Sequence, residues 1–250
     1  MSETQLSLPI PDSAEKTSRI ADHGFFYAVS AGLVIIVFAG FARTYYLKGL
    51  YGAPPLSVLV HLHGVVMTLW YALFVGQVTL VASNRIALHR KLGIAGAFLA
   101  GLVALLDTAV SLGLARRRLL AHPDSTGAPF LLGMQLLAIV LVFVVLVSLA
   151  IRMRRRPDYH KRLMTLAMLS VLGPAITRLP LSFIANHDVS IAIVISISCL
   201  VICVVADWVR NRRLHPAFGW GGSLMIASVF VVAAFAQTPL WIHFVRRLLV

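Results

Sequence analysis

Acidic side chains are scarce in this chain. Its 250 residues hold 22 Lys and Arg against 9 Asp and Glu, and charged residues of both signs make up only 12%. A soluble domain carries about twice that share, so the composition argues against one. Cysteine is nearly absent. Cys199 and Cys203 stand four apart in one apolar run, which is neither a zinc spacing nor a geometry for a disulfide, and they read as small packing residues. The chain has no nucleophile–base–acid set, no phosphate-binding glycine loop, no soluble dinucleotide fingerprint and no H-x-x-x-H or H-x-x-E-H run. The strict alternation needed for a membrane β-barrel is missing as well. No short apolar core with a small-residue cleavage site follows a brief basic start, so a secretory signal is not expected. No basic patch is interleaved with base-stacking aromatics, which argues against nucleic acid. The net charge of +13 instead suggests basic loops facing anionic lipid.

What the chain has in abundance is apolar sequence, 59% of its residues. After a polar tail over residues 1–23, apolar runs recur at 24–42, 57–82, 92–115, 128–151, 163–184, 189–206 and 219–241. Runs of this length cross a bilayer as helices. The expected fold class is therefore all-α: a polytopic membrane bundle of about seven spans forming one domain over residues 24–250. Most Lys and Arg fall in the segments that share a side with the tail, which predicts an inside amino terminus and an outside carboxyl terminus. Arg116, Arg117 and Arg118 argue the other way. Trp208, Trp220 and Trp241 fall near run ends, as interfacial anchors do, whereas Trp70 falls mid-run. Gly173-Pro174 and Pro180 predict a bend in the fifth run, because proline removes a backbone bond.

One pattern occurs twice, 71 residues apart. Residues 88–92 read Leu-His-Arg-Lys-Leu and residues 159–163 read Tyr-His-Lys-Arg-Leu, and each copy carries a lone charge 18 residues beyond its histidine. Eighteen residues are five helical turns, so histidine and charge share a face about 27 Å apart. The charges are Asp107 and Arg178, opposite in sign and matched in depth. Because an isolated charge in hydrocarbon is costly, they are expected to pair, as a clamp or as part of a gate or proton relay.

Three run starts converge on the inner face, bringing His89, Arg90 and Lys91 near His160, Lys161 and Arg162, and near His215 with Arg212 and Arg213. Free amide groups, partial positive charge and cationic side chains together suit an anion, such as a small anionic ligand or an anionic lipid head group. Ordinary positive-inside topology accounts for the same residues. Alternatively His89 and His160, on parallel helices at equal depth, could ligate one haem iron from both sides. On the outer face Arg43, Tyr45 and Tyr46 with His61 and His63 form a polar cluster, to which His187, Asp188 and His243 are assigned. His61 and His63 are two apart, about 200° around a helix, and cannot face one partner.

The pieces Phe41-Ala42-Arg43-Thr44-Tyr45-Tyr46, His61-Leu62-His63-Gly64, Leu88-His89-Arg90-Lys91-Leu92-Gly93, His160-Lys161-Arg162-Leu163-Met164 and His215-Pro216 together resemble a set of uncharacterised bacterial inner-membrane proteins. The resemblance implies a multi-pass protein of the bacterial inner membrane and assigns no activity. A looser likeness is to transmembrane b-type cytochromes, which hold haem between histidines on facing helices. Their usual ligands lie inside the spans, whereas His89 and His160 lie at run ends, and the fourth run contains no histidine. The functional expectation is a binding or transport protein with an inward-facing anion or polar-ligand site. The alternatives are haem b electron transfer through His89 and His160, and a purely structural membrane protein.

Overall fold

The structure is a computed structural model that describes residues 13–181 and 189–250, with side chains over 23–181 and 190–250. His187, Asp188 and the end of the fifth apolar run lie outside the described residues. Helices run over Ser13–Phe41 (α1), Val58–Ala82 (α2), Ile86–Ala121 (α3), Gly127–Arg152 (α4), Pro157–Ser170 (α5), Gly173–Ile176 (α6), Val189–Asn211 (α7), Pro216–Phe235 (α8) and Pro239–Leu249 (α9). No strand occurs among the described residues. Helix α1 begins at Ser13, inside the stretch read from sequence as a polar tail.

Among the described residues six helices are long and apolar enough to cross a membrane: α2, α3, α4, α8 and the stretches His23–Tyr46 and Ser190–Asn211. This is compatible with a multi-pass membrane protein. The fifth apolar run does not form a seventh helix of that kind. Helix α5 stops at Ser170 and the chain restarts at Gly173-Pro174 for a single turn. The seventh run also divides, because α8 ends at Phe235 and Pro239 opens a separate helix.

Although interrupted, α5 is the centre of the bundle. Leu163, Thr165, Leu166, Ala167 and Met168 are fully buried, so neighbours enclose the helix on every side. Helix α4 packs along one flank of α5 and α8 along another. Gly221 of α8 allows this approach, since a side chain there would run into Leu166. Helices α2 and α3 form an antiparallel hairpin, turned at Asn84, which takes the left-handed conformation that asparagine tolerates (φ 58°). Gly40, near the end of α1, meets the backbone carbonyl of Ala175 in α6, where any Cβ would collide.

Two helical stretches are wound as π-helix, Ala42–Tyr46 and Met134–Val140. Such stretches widen the helix and reposition side chains, often at sites of function. Helix α9 is amphipathic: Trp241 and Val245 are buried, while Leu240, Phe244 and Leu248 face outward. The Trp241 indole donates to the Pro129 carbonyl at 2.8 Å, and Arg246 to the Asp124 carbonyl at 2.9 Å. An apolar outer face on a short basic helix suits a membrane–water boundary.

Candidate functional site

Helices α3, α5 and α8 begin at one end of the bundle, and most of the sequence-selected residues gather there. Helix α5 opens with Pro157 at its first turn, where a missing N–H costs nothing, followed by Asp158. Helix α8 opens with Pro216 after His215, whose side chain caps it: Nδ1 accepts from the Ala217 amide at 3.1 Å. A ring nitrogen that accepts leaves the proton on the other, so Nε2–H donates to Asp158 Oδ2 at 3.1 Å. The Tyr159 ring lies against this imidazole, centroids 4.7 Å apart. Burial pushes the Asp158 carboxyl up. The hydrogen bond from His215 and those from the Asp158 and Tyr159 amides outweigh it and hold the group below the usual carboxylate range. His215 is thereby a cap and a clamp between α8 and α5.

Arg162 is committed as well. Its Nε donates to both oxygens of Asp207 at 3.1 and 3.0 Å, its Nη2 to Oδ1 at 2.7 Å, and its Nη1 to the Asp158 carbonyl at 2.9 Å. The two side chains are 4% and 1% exposed, so this ion pair is buried. It ties α5 to α7. Beside it lies a pocket of about 140 Å³ lined by Asp158, Lys161, Arg162, Asn211, Arg213 and His215. Arg90 and Lys91 are exposed on α3, and Lys161 stands over the Phe26 ring at 5.3 Å.

His89 and His160 face one another, as the repeat predicts. Their ring centroids are 6.3 Å apart and their planes nearly perpendicular, at 84°. His160 Nδ1 lies 2.9 Å from the Ala150 carbonyl; a carbonyl only accepts, so Nδ1 carries a proton and Nε2 is the nitrogen left for another partner. Such a carbonyl bond is what orients ligating histidines. His89 Nδ1 is buried without a hydrogen-bond partner, and so is Gln77 Oε1. The Gln77 amide lies near Gly93, one turn beyond His89. Buried polar atoms normally find partners, and these two exceptions stand on the neighbouring helices α3 and α2.

Asp107 and Arg178 take different partners, and no ion pair joins them. Gln135 Nε2 donates to both oxygens of Asp107 at 3.1 and 2.9 Å. Arg178 donates to the Pro174 carbonyl at 2.7 Å and stacks over Phe41 at 5.1 Å. The physical reason is the break after Ser170. The five-turn register holds only along an unbroken helix, and the restart at Gly173-Pro174 carries Arg178 toward α1. Among the described residues the buried ion pair is Arg162 with Asp207.

In the outer cluster Tyr45 donates to the His61 carbonyl at 3.2 Å and its ring lies 5.7 Å from the His61 imidazole. Gly64 makes room for it, since a side chain there would strike the Tyr45 ring. Arg43 stands over Tyr51 at 5.2 Å, and Tyr46 shares a hydrogen bond with Thr68 at 3.0 Å. His63 is turned away, its Nδ1 buried without a partner. His243 is exposed on α9. Among the described residues no three His, Cys, Asp or Glu side chains group closely enough to hold a metal ion.

Sequence reasoning missed two acidic partners, Asp207 and Asp158. With only 9 acidic residues in the chain, each acid beside an apolar run was a signal that a cation would be matched to it. No protein-family model, curated protein or solved structure matches the chain. The fold and these side chains are therefore what function is argued from.

Proposed function

We propose that this is a haem-binding electron-transfer protein of the bacterial inner membrane, with His89 and His160 as the axial ligands. One observation carries the reading, the 6.3 Å separation of the two ring centres. Imidazole nitrogens bond metal ions at about 2.0–2.1 Å, and a further step of about 1 Å to each ring centre gives about 6 Å across one ion. The 84° between the ring planes is no obstacle, since two rings whose nitrogens faced one iron could be turned to any angle about the line joining them.

The donor set also fits. Two imidazoles do not complete the four-coordinate shell of a structural zinc, and no third metal-binding side chain joins them among the described residues. A macrocycle brings its own equatorial nitrogens and needs only the axial pair. The Ala150 carbonyl engages His160 Nδ1, so Nε2 would be the nitrogen that holds the iron. Arg90, Lys91 and Lys161 follow their histidines at the same end and would meet propionate groups. When bound, the iron would supply one-electron chemistry; the chain supplies orientation, charge matching and apolar surroundings.

In this reading the protein crosses the membrane seven times. The six long helices make six crossings, and α5 with α6 makes an interrupted fifth. A second reading places a small anion or an anionic lipid head group in the 140 Å³ pocket beside Lys161, Arg162, Arg213 and His215. Two of these four are already matched to Asp207 and Asp158, so the site is less positive than its sequence implies. The histidine pair therefore carries the conclusion.

The test is an absorbance spectrum of the purified protein, oxidised and reduced, from cells supplied with haem precursor. A Soret band and a sharpened reduced α band are expected, lost in His89→Ala and in His160→Ala and kept in His215→Ala. No haem absorbance in the folded wild type overturns the proposal, as does an unchanged spectrum in the double variant lacking both histidines.

A further inference from the structure

A cavity lies away from the histidine pair, in the opposite half of the bundle. It encloses about 390 Å³ between α3, α4, α7, α8 and the α5–α6 break. That volume is toward the small end of the range of about 300–1,000 Å³ usual for small-molecule sites. Leu132, Ile139, Leu200 and Val229 contribute to apolar walls. Two guanidinium groups, Arg118 and Arg178, also line it.

Among the described residues these cations have no matching anion. Arg118 is exposed and makes no hydrogen bond or ion pair with any described residue. Arg178 is exposed too and spends one nitrogen on the Pro174 carbonyl. The charges acting on Arg178 are Arg118, of like sign, and Asp107, of opposite sign. Asp107 does not line the cavity, and both its oxygens accept from Gln135. Gln135, in the π-helical stretch, lines the cavity and donates to that carboxylate. An anion approaching the arginines thus meets two positive charges and an amide rather than a carboxylate.

We infer that this cavity binds a single-chain amphipathic anion, a long-chain carboxylate, with its head at Arg118 and Arg178 and its tail against the apolar walls. Guanidinium groups are suited to oxyanions, offering paired donors at fixed spacing. The volume suits one chain rather than the two of a phospholipid. The inference is independent of haem binding, because neither His89 nor His160 lines the cavity.

Binding is read with purified protein in a non-ionic detergent, using the increase in fluorescence of cis-parinaric acid. Oleate, oleyl alcohol and dioleoyl phosphatidic acid serve as competitors. Saturable binding is expected, with oleate displacing the probe at concentrations roughly tenfold or more below those of the alcohol. Arg178→Gln and Arg118→Gln should each weaken oleate by roughly tenfold and leave the alcohol unchanged. Val229→Trp should fill the cavity and abolish both, with helicity by circular dichroism showing that each variant is folded. Equal competition by oleate and the alcohol overturns the inference, as does unchanged oleate affinity in both arginine variants. Stronger competition by phosphatidic acid than by oleate overturns the single-chain assignment and makes the site one for a phospholipid. Should either arginine variant fail to fold, the comparison of oleate with the alcohol on the wild type decides the matter.

Discussion

At the residue scale the Arg162–Asp207 pair is where removing an atom costs most. Both side chains are almost wholly buried, and three guanidinium bonds reach the carboxylate. Deleting one partner leaves the other charged, buried and unmatched, a loss of about 3–5 kcal/mol, whereas apolar replacement of both is often close to neutral. Arg162→Met or Asp207→Leu alone should therefore destabilise by about that amount, and the double variant by much less. A double-mutant cycle of unfolding in detergent measures it, and additive losses would mean that the two charges do not support one another. The sequence displays both residues without displaying their partnership. They sit 45 positions apart and no repeat relates them. The relation that the repeat does display, Asp107 with Arg178, depends on a helix that the fold interrupts.

At the element scale the legible features were those that depend on local pattern. Long apolar runs become long helices because backbone groups with no water nearby must bond within their own segment. His89 and His160 meet because each stands in the first turn or so of a helix starting at the same end. The break after Ser170 was half legible: Gly173-Pro174 marks it, but the depth of the interruption depends on what packs there. Helix α1 passes so close to α6 that Gly40 touches the Ala175 carbonyl. No intrinsic property of residue 40 reveals that contact in a sequence. Gly40→Ala should consequently destabilise the protein by about 1–3 kcal/mol through overpacking against backbone that cannot rotate aside. Gly32→Ala, in open space on the same helix, should be neutral or slightly stabilising, since alanine favours helix. Thermal unfolding of the two variants side by side separates packing from propensity, and equal shifts would remove the close approach as an explanation.

At the scale of the whole molecule, charge and geometry make one statement about orientation. The histidine-bearing end carries the turns at Ser83–Arg85, Met153–Arg156 and Arg212–His215, six of whose residues are arginine besides Arg152 and Arg210 nearby. The opposite end carries the 47–57 loop and the 122–126 turn, where Lys48 is the single cation in either loop. Arginines 116–118 and 246–247 also stand at that end, but Arg116 and Arg246 donate to the carbonyls of Leu249 and Asp124. These bonds engage them in docking α9 onto the end of α3. Short loops, not docked helix ends, govern the positive-inside bias. The histidine-bearing end is thus expected to face the cytoplasm, with α9 on the outer surface of the membrane. Single cysteines at Ser83, Arg155 and Arg213, in a chain lacking Cys199 and Cys203, should label with a membrane-impermeant maleimide only after the cells are opened. Cysteines at Gly49 and Asp124 should label in intact cells. The contrast also tests the interrupted fifth passage: without a crossing through α5 and α6, residues 155 and 213 could not share a compartment with residue 83 while residues 49 and 124 share the other and α9 docks beside residue 124.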